Sequence, residues 1–232
     1  MIQSFLNGQQ GVSASFLEYP LPIQIQSGSS LQVNKFETDS TDEKLNSQAI
    51  YINVCGKFCE MSAMASRTLL VDPTEEQKKA YQIAYDALTT LISKLRPGEK
   101  IKDAYVAAKN FVMQKNADLS VPANFGFGIG FNYKERKLTI SAQNETVVEP
   151  GMTFHCRISI QGISKEQSRS IMAIGDTVVI GPEGNEVLTQ SVQKAYAEIS
   201  YSLEDSEPED AAAQKKAMEE EKKTPKTGAS TA

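Results

Sequence analysis

The chain has 232 residues, of which 40% are hydrophobic, so it is long enough to bury the core of one large domain or two small ones. It contains no apolar run of about eighteen residues and does not begin like a secretion signal, so we expect neither a membrane-spanning helix nor a secretory leader. Three widely spaced cysteines indicate a reducing compartment rather than a disulfide framework.

The formal net charge of −5 is unevenly distributed. Residues 204–232 hold eight acidic residues and five lysines, and the other 203 residues hold 21 acidic and 19 basic residues. A nearly neutral body lacks the excess of Lys and Arg that binds phosphates, so direct nucleic-acid binding is not expected. The acidic tail is interpreted as a disordered, solvated linker, with contact to basic partners as the alternative.

The first third of the chain predicts strands separated by a polar loop. Residues 1–18 are ambiguous, residues 21–33 predict one or two strands, and residues 37–47 predict the loop. Residues 48–58 predict a strand and residues 66–71 a second one, with the intervening turn near Gly56. The first of these strands alternates, with Ile50, Ile52 and Val54 on one face and Tyr51, Asn53 and Cys55 on the other.

Two helices are predicted next. Asp72 suits the N-cap of the first helix, Pro73 its first position and Glu75 a capping box, and Pro97-Gly98 ends it. Its apolar stripe comprises Tyr81, Ala84, Tyr85, Leu88, Leu91, Ile92 and Leu95. Asp103 is predicted to cap a second helix that ends near residue 115 and buries Tyr105, Ala108 and Val112.

The remaining chain predicts further strands. They cover residues 125–133, 137–142, 152–161 and 171–180, with turns at Glu149-Pro150-Gly151 and at residues 182–185 before a short strand at 186–188. The order of strands, two helices and strands predicts an α+β fold in which a strongly bent antiparallel sheet carries its helices on one face.

Three motifs carry a family resemblance. They are Gly126-Phe127-Gly128-Ile129-Gly130, Glu149-Pro150-Gly151-Met152 and Gly175-Asp176-Thr177-Val178-Val179. In this order they resemble the pita-bread family of methionine aminopeptidase and aminopeptidase P, over about residues 48–190. More narrowly, Tyr19-Pro20, residues 25–28, residues 67–73 and residues 187–189 resemble the large subunit of the FACT histone chaperone, whose N-terminal region contains a peptidase-like domain without peptidase chemistry.

The resemblance implies that the metal site is lost. The enzymes hold two divalent metals between carboxylates and one imidazole, which activate a bridging water. The spacing of the family places these ligands at five positions that here hold unsuitable residues: Asn53, Met64, Phe127, Arg157 and Gly175. We therefore predict a pita-bread pseudo-aminopeptidase with no cofactor, no metal and no catalytic residue.

The resemblance also implies partners and a domain division. The implied partners are core histones or histone tails and, through regions outside this chain, the HMG-box subunit of FACT; the implied location is chromatin in the nucleus. An uncertain segment at residues 1–18 precedes a partial peptidase-like domain at 19–203 and an acidic linker at 204–232. Because the family has a lobe and helices before this segment, we expect a fragment or a shortened gene product.

The old cleft is expected to hold an extended peptide. Arg157 would contact a carboxylate or carbonyl group, Tyr51 and Phe127 would form apolar walls, and His155 would share a face with Arg157. Two alternatives to the histone-binding role stay open: an active metallo-aminopeptidase with displaced ligands, and a scaffold for other transcription or replication proteins.

Two other motifs are interpreted structurally. Cys55, Cys59 and Cys156 have the wrong spacing for a zinc knuckle, so buried thiols are expected. The glycines at 126, 128 and 130 lack the strand-then-helix context of a nucleotide loop, so we expect them to allow close backbone approach.

Overall fold

The computed structural model describes residues 14–27, 48–165 and 170–202. Residues 28–33 of the predicted strand region at 21–33, the polar loop at 37–47 and the acidic tail at 204–232 lie outside the described residues. Within these ranges, short 3-10 helices occupy Ala14–Phe16 and Arg136–Leu138. The strands are β1 (Leu17–Glu18), β2 (Gln24–Ser27), β3 (Ala49–Phe58), β4 (Met61–Val71), β5 (Gly126–Gly128), β6 (Thr153–Gln161), β7 (Ile171–Ile180), β8 (Asn185–Val187) and β9 (Ser200–Tyr201). The α-helices are α1 (Glu75–Lys94), α2 (Ile101–Lys115) and α3 (Tyr196–Ile199).

One sheet contains all the strands of the described residues. Its order is β1-β3-β4-β7-β6-β5, with β2 paired to β3, β8 paired to β7 and β9 parallel to β4. All other neighbours are antiparallel. Among the helices of the described residues, none combines the length and the hydropathy of a membrane-spanning segment. The predicted α+β arrangement with an antiparallel sheet is confirmed.

The turn between β3 and β4 lies later than predicted. Gly56 is inside β3, opposite Ala63, and the chain reverses at Cys59 and Glu60, whose φ angles are 46° and 65°. Two consecutive left-handed residues match the twist of the flanking strands, as in a tight hairpin. The pairing extends for ten residue pairs, so the register of β3 against β4 fixes which side chains face inward.

The N-cap of helix α1 lies two residues after the predicted one. Thr74 is the N-cap: its Oγ1 accepts a hydrogen bond from the Gln77 backbone N–H at 3.2 Å, and Gln77 Oε1 accepts one from the Thr74 N–H at 3.0 Å. Asp72 instead has φ of 45° and donates its N–H to the Tyr201 carbonyl in β9. Since Asp72 is engaged with the sheet, the prediction that it caps the helix was wrong.

The two long helices pack together, α1 packs against β6 and β7, and the apolar faces of both helices contribute to the main core. Tyr81, Leu88, Leu91 and Leu95 are buried as predicted, with Ala84, whereas Tyr85 and Ile92 are half-buried. In α2 the three predicted core residues are buried. The predicted cap Asp103 lies in the first turn of α2, because the helix begins at Ile101 after Lys100.

The later strands are partly as predicted. Strands β6 and β7 and the turn before β8 agree with the prediction, but β5 has only three residues. The expected strand at 137–142 was wrong: the chain forms a 3-10 helix at Arg136–Leu138 instead. After β5 it folds back, so that the Glu135 N–H donates to the Gly128 carbonyl at 2.7 Å. This reversal ends the strand and brings Leu138 onto Gly128.

Candidate functional site

Five neighbouring strands each contribute one of the predicted former ligand positions. Asn53 is on β3, Met64 on β4, Gly175 on β7, Arg157 on β6 and Phe127 on β5. The strand register places these positions side by side. Ser66 on β4 pairs with Asn53 on β3 and with Gly175 on β7, and Gly175 pairs with Arg157 on β6. Gly175 has no side chain, and each of the other four residues is at most 2% exposed. The sequence spacing therefore identified one buried group of positions on one face of the sheet.

Ser66 links the polar half of this group. Its hydroxyl donates to Asn53 Oδ1 at 2.7 Å and lies 3.3 Å from His155 Nε2. Tyr51 donates its hydroxyl to Ser66 Oγ at 3.4 Å, and Arg157 Nη1 donates to the Tyr51 oxygen at 3.2 Å. Sequence reasoning missed Ser66, although strand alternation places it two residues after Met64 on the same face.

Met64 and Phe127 lie in an apolar cluster beside these polar groups. They pack with Leu21, Cys55 and Ile129. The Phe127 ring lies 5.7 Å from the His155 ring, and the Lys134 ammonium is 5.5 Å from the Phe127 centroid. A thioether and a phenyl ring here add packing rather than ligands for hard cations.

Gly175 leaves no room for a long side chain in the present packing. A Cβ atom added there would be 3.0 Å from each of three atoms: Arg157 Cβ, the Cys156 carbonyl oxygen and His155 Cε1. At this distance the neighbours must shift by a few tenths of an ångström to accept even an alanine. The space near Gly175 is thus occupied by residues of β6.

His155 is neutral at physiological pH. Complete burial, reinforced by the nearby Arg157 charge, lowers the pKa of the His155 imidazole to about 3. Although Ser66 is close enough to form a nucleophile–base pair, its proton is donated to Asn53. A base with so low a pKa cannot remove a hydroxyl proton effectively near neutral pH, so this pair does not resemble an activated serine.

A second buried polar cluster surrounds Asp176, a residue of the Gly175–Val179 motif. Its carboxylate accepts hydrogen bonds from Arg67 Nη2 at 2.7 Å, Lys194 Nζ at 2.6 Å and Thr189 Oγ1 at 2.9 Å. Burial raises the pKa of the Asp176 carboxyl, but Arg67 and Lys194 outweigh this effect and hold the pKa below its ordinary value. Arg67 also donates to the Gln193 carbonyl. The cluster therefore ties the chain after β8 to β4 and β7.

The cysteines differ in their surroundings. Cys55 and Cys156 are buried as predicted, and burial raises the pKa of both thiols, that of Cys55 to about 11. Cys59 is exposed in the β3–β4 turn, so the prediction of three buried thiols was wrong for it. Within residues 14–27, 48–165 and 170–202, no group of three or more His, Cys, Asp and Glu residues is arranged to hold a metal ion.

Two glycines of the Gly126–Gly128 strand allow close approach, as predicted. A Cβ on Gly126, where φ is 124°, would lie 1.8 Å from the His155 carbonyl oxygen, and one on Gly128 would lie 2.7 Å from the Leu138 side chain. β5 leads into an irregular loop rather than a helix N-terminus. This context differs from that of a phosphate-binding loop.

The five positions do not fit a pair of divalent cations. Asn53 offers one uncharged oxygen that already accepts from Ser66, and Met64 offers a soft sulfur. Phe127 and Gly175 offer no side-chain donor at all. At about 4 Å and an effective dielectric near 20, the Arg157 charge would repel a divalent cation by about 8 kcal/mol.

The chain belongs to metallopeptidase family M24, whose family model matches residues 2–182. The prolidase from Pyrococcus horikoshii is similar in structure over 72% of this chain and 47% of that chain, with a TM-score of 0.62 and 23% identity. This likeness confirms the predicted pita-bread fold.

Within this family the chain is similar to the large FACT subunit. FACT complex subunit SPT16 from Arabidopsis thaliana is 33% identical over 204 residues, which are 83% of this chain and 18% of that protein. The N-terminal domain of FACT complex subunit SPT16 from Cicer arietinum has a TM-score of 0.77 and 26% identity, covering 86% of this chain and 49% of that chain. The narrower resemblance is confirmed, and the chain spans about a fifth of the length of the curated relatives it matches.

Proposed function

We propose that this chain is the non-catalytic, peptidase-like domain of a FACT-type histone chaperone subunit and acts as a protein-interaction module for histones and chromatin. Its similarity to SPT16 proteins over most of its length supports this role. The proposed partners are core histones or their tails and, through regions outside this chain, an HMG-box subunit. The proposed location is the nucleus, and the proposed division into residues 1–18, 19–203 and 204–232 stays a prediction.

The lack of catalysis is inferred mainly from Arg157. Its buried guanidinium stands where the resemblance places a metal-binding glutamate, and it donates to Tyr51 rather than to a carboxylate at that contact. With the other four positions also poor in donors, we infer that no pair of metals binds and that no water is activated there.

This inference is tested by elemental analysis of the purified chain after incubation with manganese, cobalt or zinc, followed by an assay for release of N-terminal residues from peptides. We expect no stoichiometric metal and no release. Two bound metal ions per chain together with peptide cleavage would favour the alternative of an active aminopeptidase with displaced ligands.

A cleft for extended peptides is proposed at Tyr51, Phe127, His155 and Arg157. Arg157 donates a hydrogen bond to Tyr51, the Phe127 and His155 rings are 5.7 Å apart, and Ser66 lies between the two pairs. Because each is at most 2% exposed, a peptide must displace neighbouring groups to reach them. Binding is therefore expected to include a conformational step, which slows association.

The cleft is tested by titrating labelled histone-tail peptides and intact core histones at two salt concentrations. We expect Arg157→Ala and the milder Tyr51→Phe to weaken peptide binding, whereas the exposed Arg96→Ala serves as the matched control. Unchanged affinity in both cleft variants, with folding verified by circular dichroism, would reject the cleft. A strong salt dependence that disappears when residues 204–232 are deleted would assign histone binding to the acidic tail.

The alternative role as a scaffold for other transcription or replication proteins is distinguished by pull-downs with and without histones. Histone-independent capture of such proteins, together with absent histone binding in the titrations, would favour the scaffold over the proposed function.

A further inference from the structure

The last described segment of the chain forms a strap that contacts β7, α1 and β4. We define the C-terminal strap as residues 188–202, which follow β8 and include α3 and β9. Ile199 is buried, whereas the other residues of the strap are half-buried or exposed. In β6, by comparison, seven of nine residues are buried. The strap therefore contributes little apolar burial to the domain.

Apolar burial alone does not hold the strap in place. Ordering the backbone of each residue costs conformational entropy, and this cost accumulates over the whole strap. Burial of one isoleucine side chain offsets only a small part of it. Polar contacts must therefore supply most of what keeps the strap closed.

The middle of the strap is held by the ion pair of Arg67 and Asp176. Arg67 Nη2 donates to the Val192 carbonyl at 2.9 Å, and Arg67 Nε donates to the Gln193 carbonyl at 2.8 Å. Asp176 accepts a hydrogen bond from Lys194 Nζ at 2.6 Å. Three consecutive residues of the strap thus depend on one buried charge pair.

The C-terminal end of the strap is held by a short strand pairing. β9 pairs in parallel with β4 over two residues, and the Asp72 N–H donates to the Tyr201 carbonyl at 2.9 Å. Parallel pairing is the less stable kind of ladder, and two residue pairs add little to it. This end therefore depends on the contacts at Arg67 and Asp176 as well.

The ion pair itself does not need the strap. Arg67 Nη2 also donates to Asp176 Oδ1 at 2.7 Å, and Arg67 Nη1 donates to the carbonyls of Gly175 and Ser66 at 2.6 and 2.8 Å. If the strap leaves, the two charged groups keep each other and gain access to water. Opening therefore leaves no buried charge unpaired, which is the main penalty when a buried ion pair is broken.

One wall of a surface groove is formed by the strap. The groove has a volume of about 500 Å³ and lies on the face of β3 opposite to Asn53. Its sheet side includes Ile52 and Leu69, which are half-buried, and its strap side includes Ile199 and Tyr201. The closed strap thus limits the access of water to this apolar side of the sheet.

We propose that the C-terminal strap is a conformational device that opens as one unit while the long helices and the sheet stay folded. Segments with few buried apolar contacts open at lower free energy than the core of a domain. Opening exposes Ile52 and Leu69 and releases the chain from β4 shortly before the acidic residues that begin at Glu204. This property is independent of the proposed histone contact.

The test is amide hydrogen exchange of the full chain, resolved by residue with NMR. The reporters are the amides of Asp72, which donates to Tyr201, and of Ser200, which donates to the Tyr196 carbonyl; the reference in β6 is the Arg157 amide, which donates to Phe125. Both reporters should exchange at least about a hundredfold faster than the reference, after correction for intrinsic rates. Their rates should depend weakly on low urea concentrations, because opening of the strap exposes little surface.

A variant and a matched control show what holds the strap. Lys194→Ala should speed exchange of both reporters at least about tenfold, because a hydrogen bond to a charged group is lost, and should leave the Arg157 amide unchanged. Lys100→Ala removes a lysine from the surface carboxylate of Glu145 and should change none of the three rates.

Exchange of Asp72 and Ser200 at the rate and with the urea dependence of Arg157 would mean that the strap and the core unfold together, and it would overturn the proposal. Equal acceleration of all three amides in Lys194→Ala would do the same, because it indicates a general loss of stability. Unchanged exchange of both reporters in this variant would also refute a strap held by the ion pair.

Discussion

Replacing Asp176 by asparagine is expected to remove a large part of the stability of the domain. Asp176 is fully buried between the Arg67 and Lys194 side chains, which are 7% and 22% exposed. Removing one partner of a buried ion pair typically costs about 3–5 kcal/mol, because a buried charge stays uncompensated. Arg67 keeps hydrogen bonds to the Gly175 and Gln193 carbonyls, so we expect the lower end, about 3 kcal/mol.

The measurement is urea unfolding of the wild type and of Asp176→Asn, followed by circular dichroism. A matched control is Glu145→Gln, which makes the same chemical change at a surface carboxylate paired with Lys100 and Lys102. The control should unfold at the wild-type urea concentration. If Asp176→Asn is no less stable than Glu145→Gln, the buried cluster does not hold the C-terminal segment as argued.

The pH dependence follows from the same carboxylate. Because the folded-state pKa of Asp176 is lowered, its stabilising contribution is present above the unfolded-state pKa of about 3.9 and is lost as the pH falls through the lower folded-state pKa. The stability difference between wild type and Asp176→Asn should therefore be constant near neutral pH and shrink below about pH 4. A difference that grows on acidification would contradict this sign.

Three further predictions test local features. Gly126→Ala should severely destabilise the folded protein, because the added Cβ would lie 1.8 Å from the His155 carbonyl oxygen. In Gly98→Ala the added Cβ has no atom within 4 Å, so the only cost is that of an alanine at a φ of 89°. Thermal unfolding of the two variants compares these effects. Thr74→Ala should cost about 1 kcal/mol through the lost N-cap, measured by urea unfolding. Cys59 should react with a thiol reagent in the folded protein, and the two buried cysteines only after unfolding; early labelling of all three thiols would contradict the burial.

Motif spacing predicted which strands contribute to the candidate site but not the contacts between their side chains. The spacing placed five residues on five different strands, and the sheet register brings those strands side by side. It did not predict that Ser66 would join Asn53 to His155, because that contact depends on pairings between strands far apart in sequence. Nor did it predict the ion cluster of Asp176, whose partners are 109 and 18 residues away.

Local rules also failed where distant chain segments intervened. Asp72 resembled a helix cap, but β9 binds its backbone, and Thr74 caps the helix instead. Residues 137–142 had the composition of a strand, but the reversal after β5 brings Leu138 onto Gly128. In both places a tertiary contact outweighed a weak local preference.

By itself, the sequence determined the α+β class, the family and the apolar stripe of α1, because periodicity and motif order are properties of the chain alone. The tertiary structure decided the surroundings of the five predicted ligand positions. Arg157 donates a hydrogen bond to Tyr51, and residues of β6 fill the space beside Gly175. It also decided that Phe131 and Met61 stay on the surface. The physical reason is that burial and hydrogen-bond partners depend on which strands meet, and pairing across a sheet is set by packing throughout the domain.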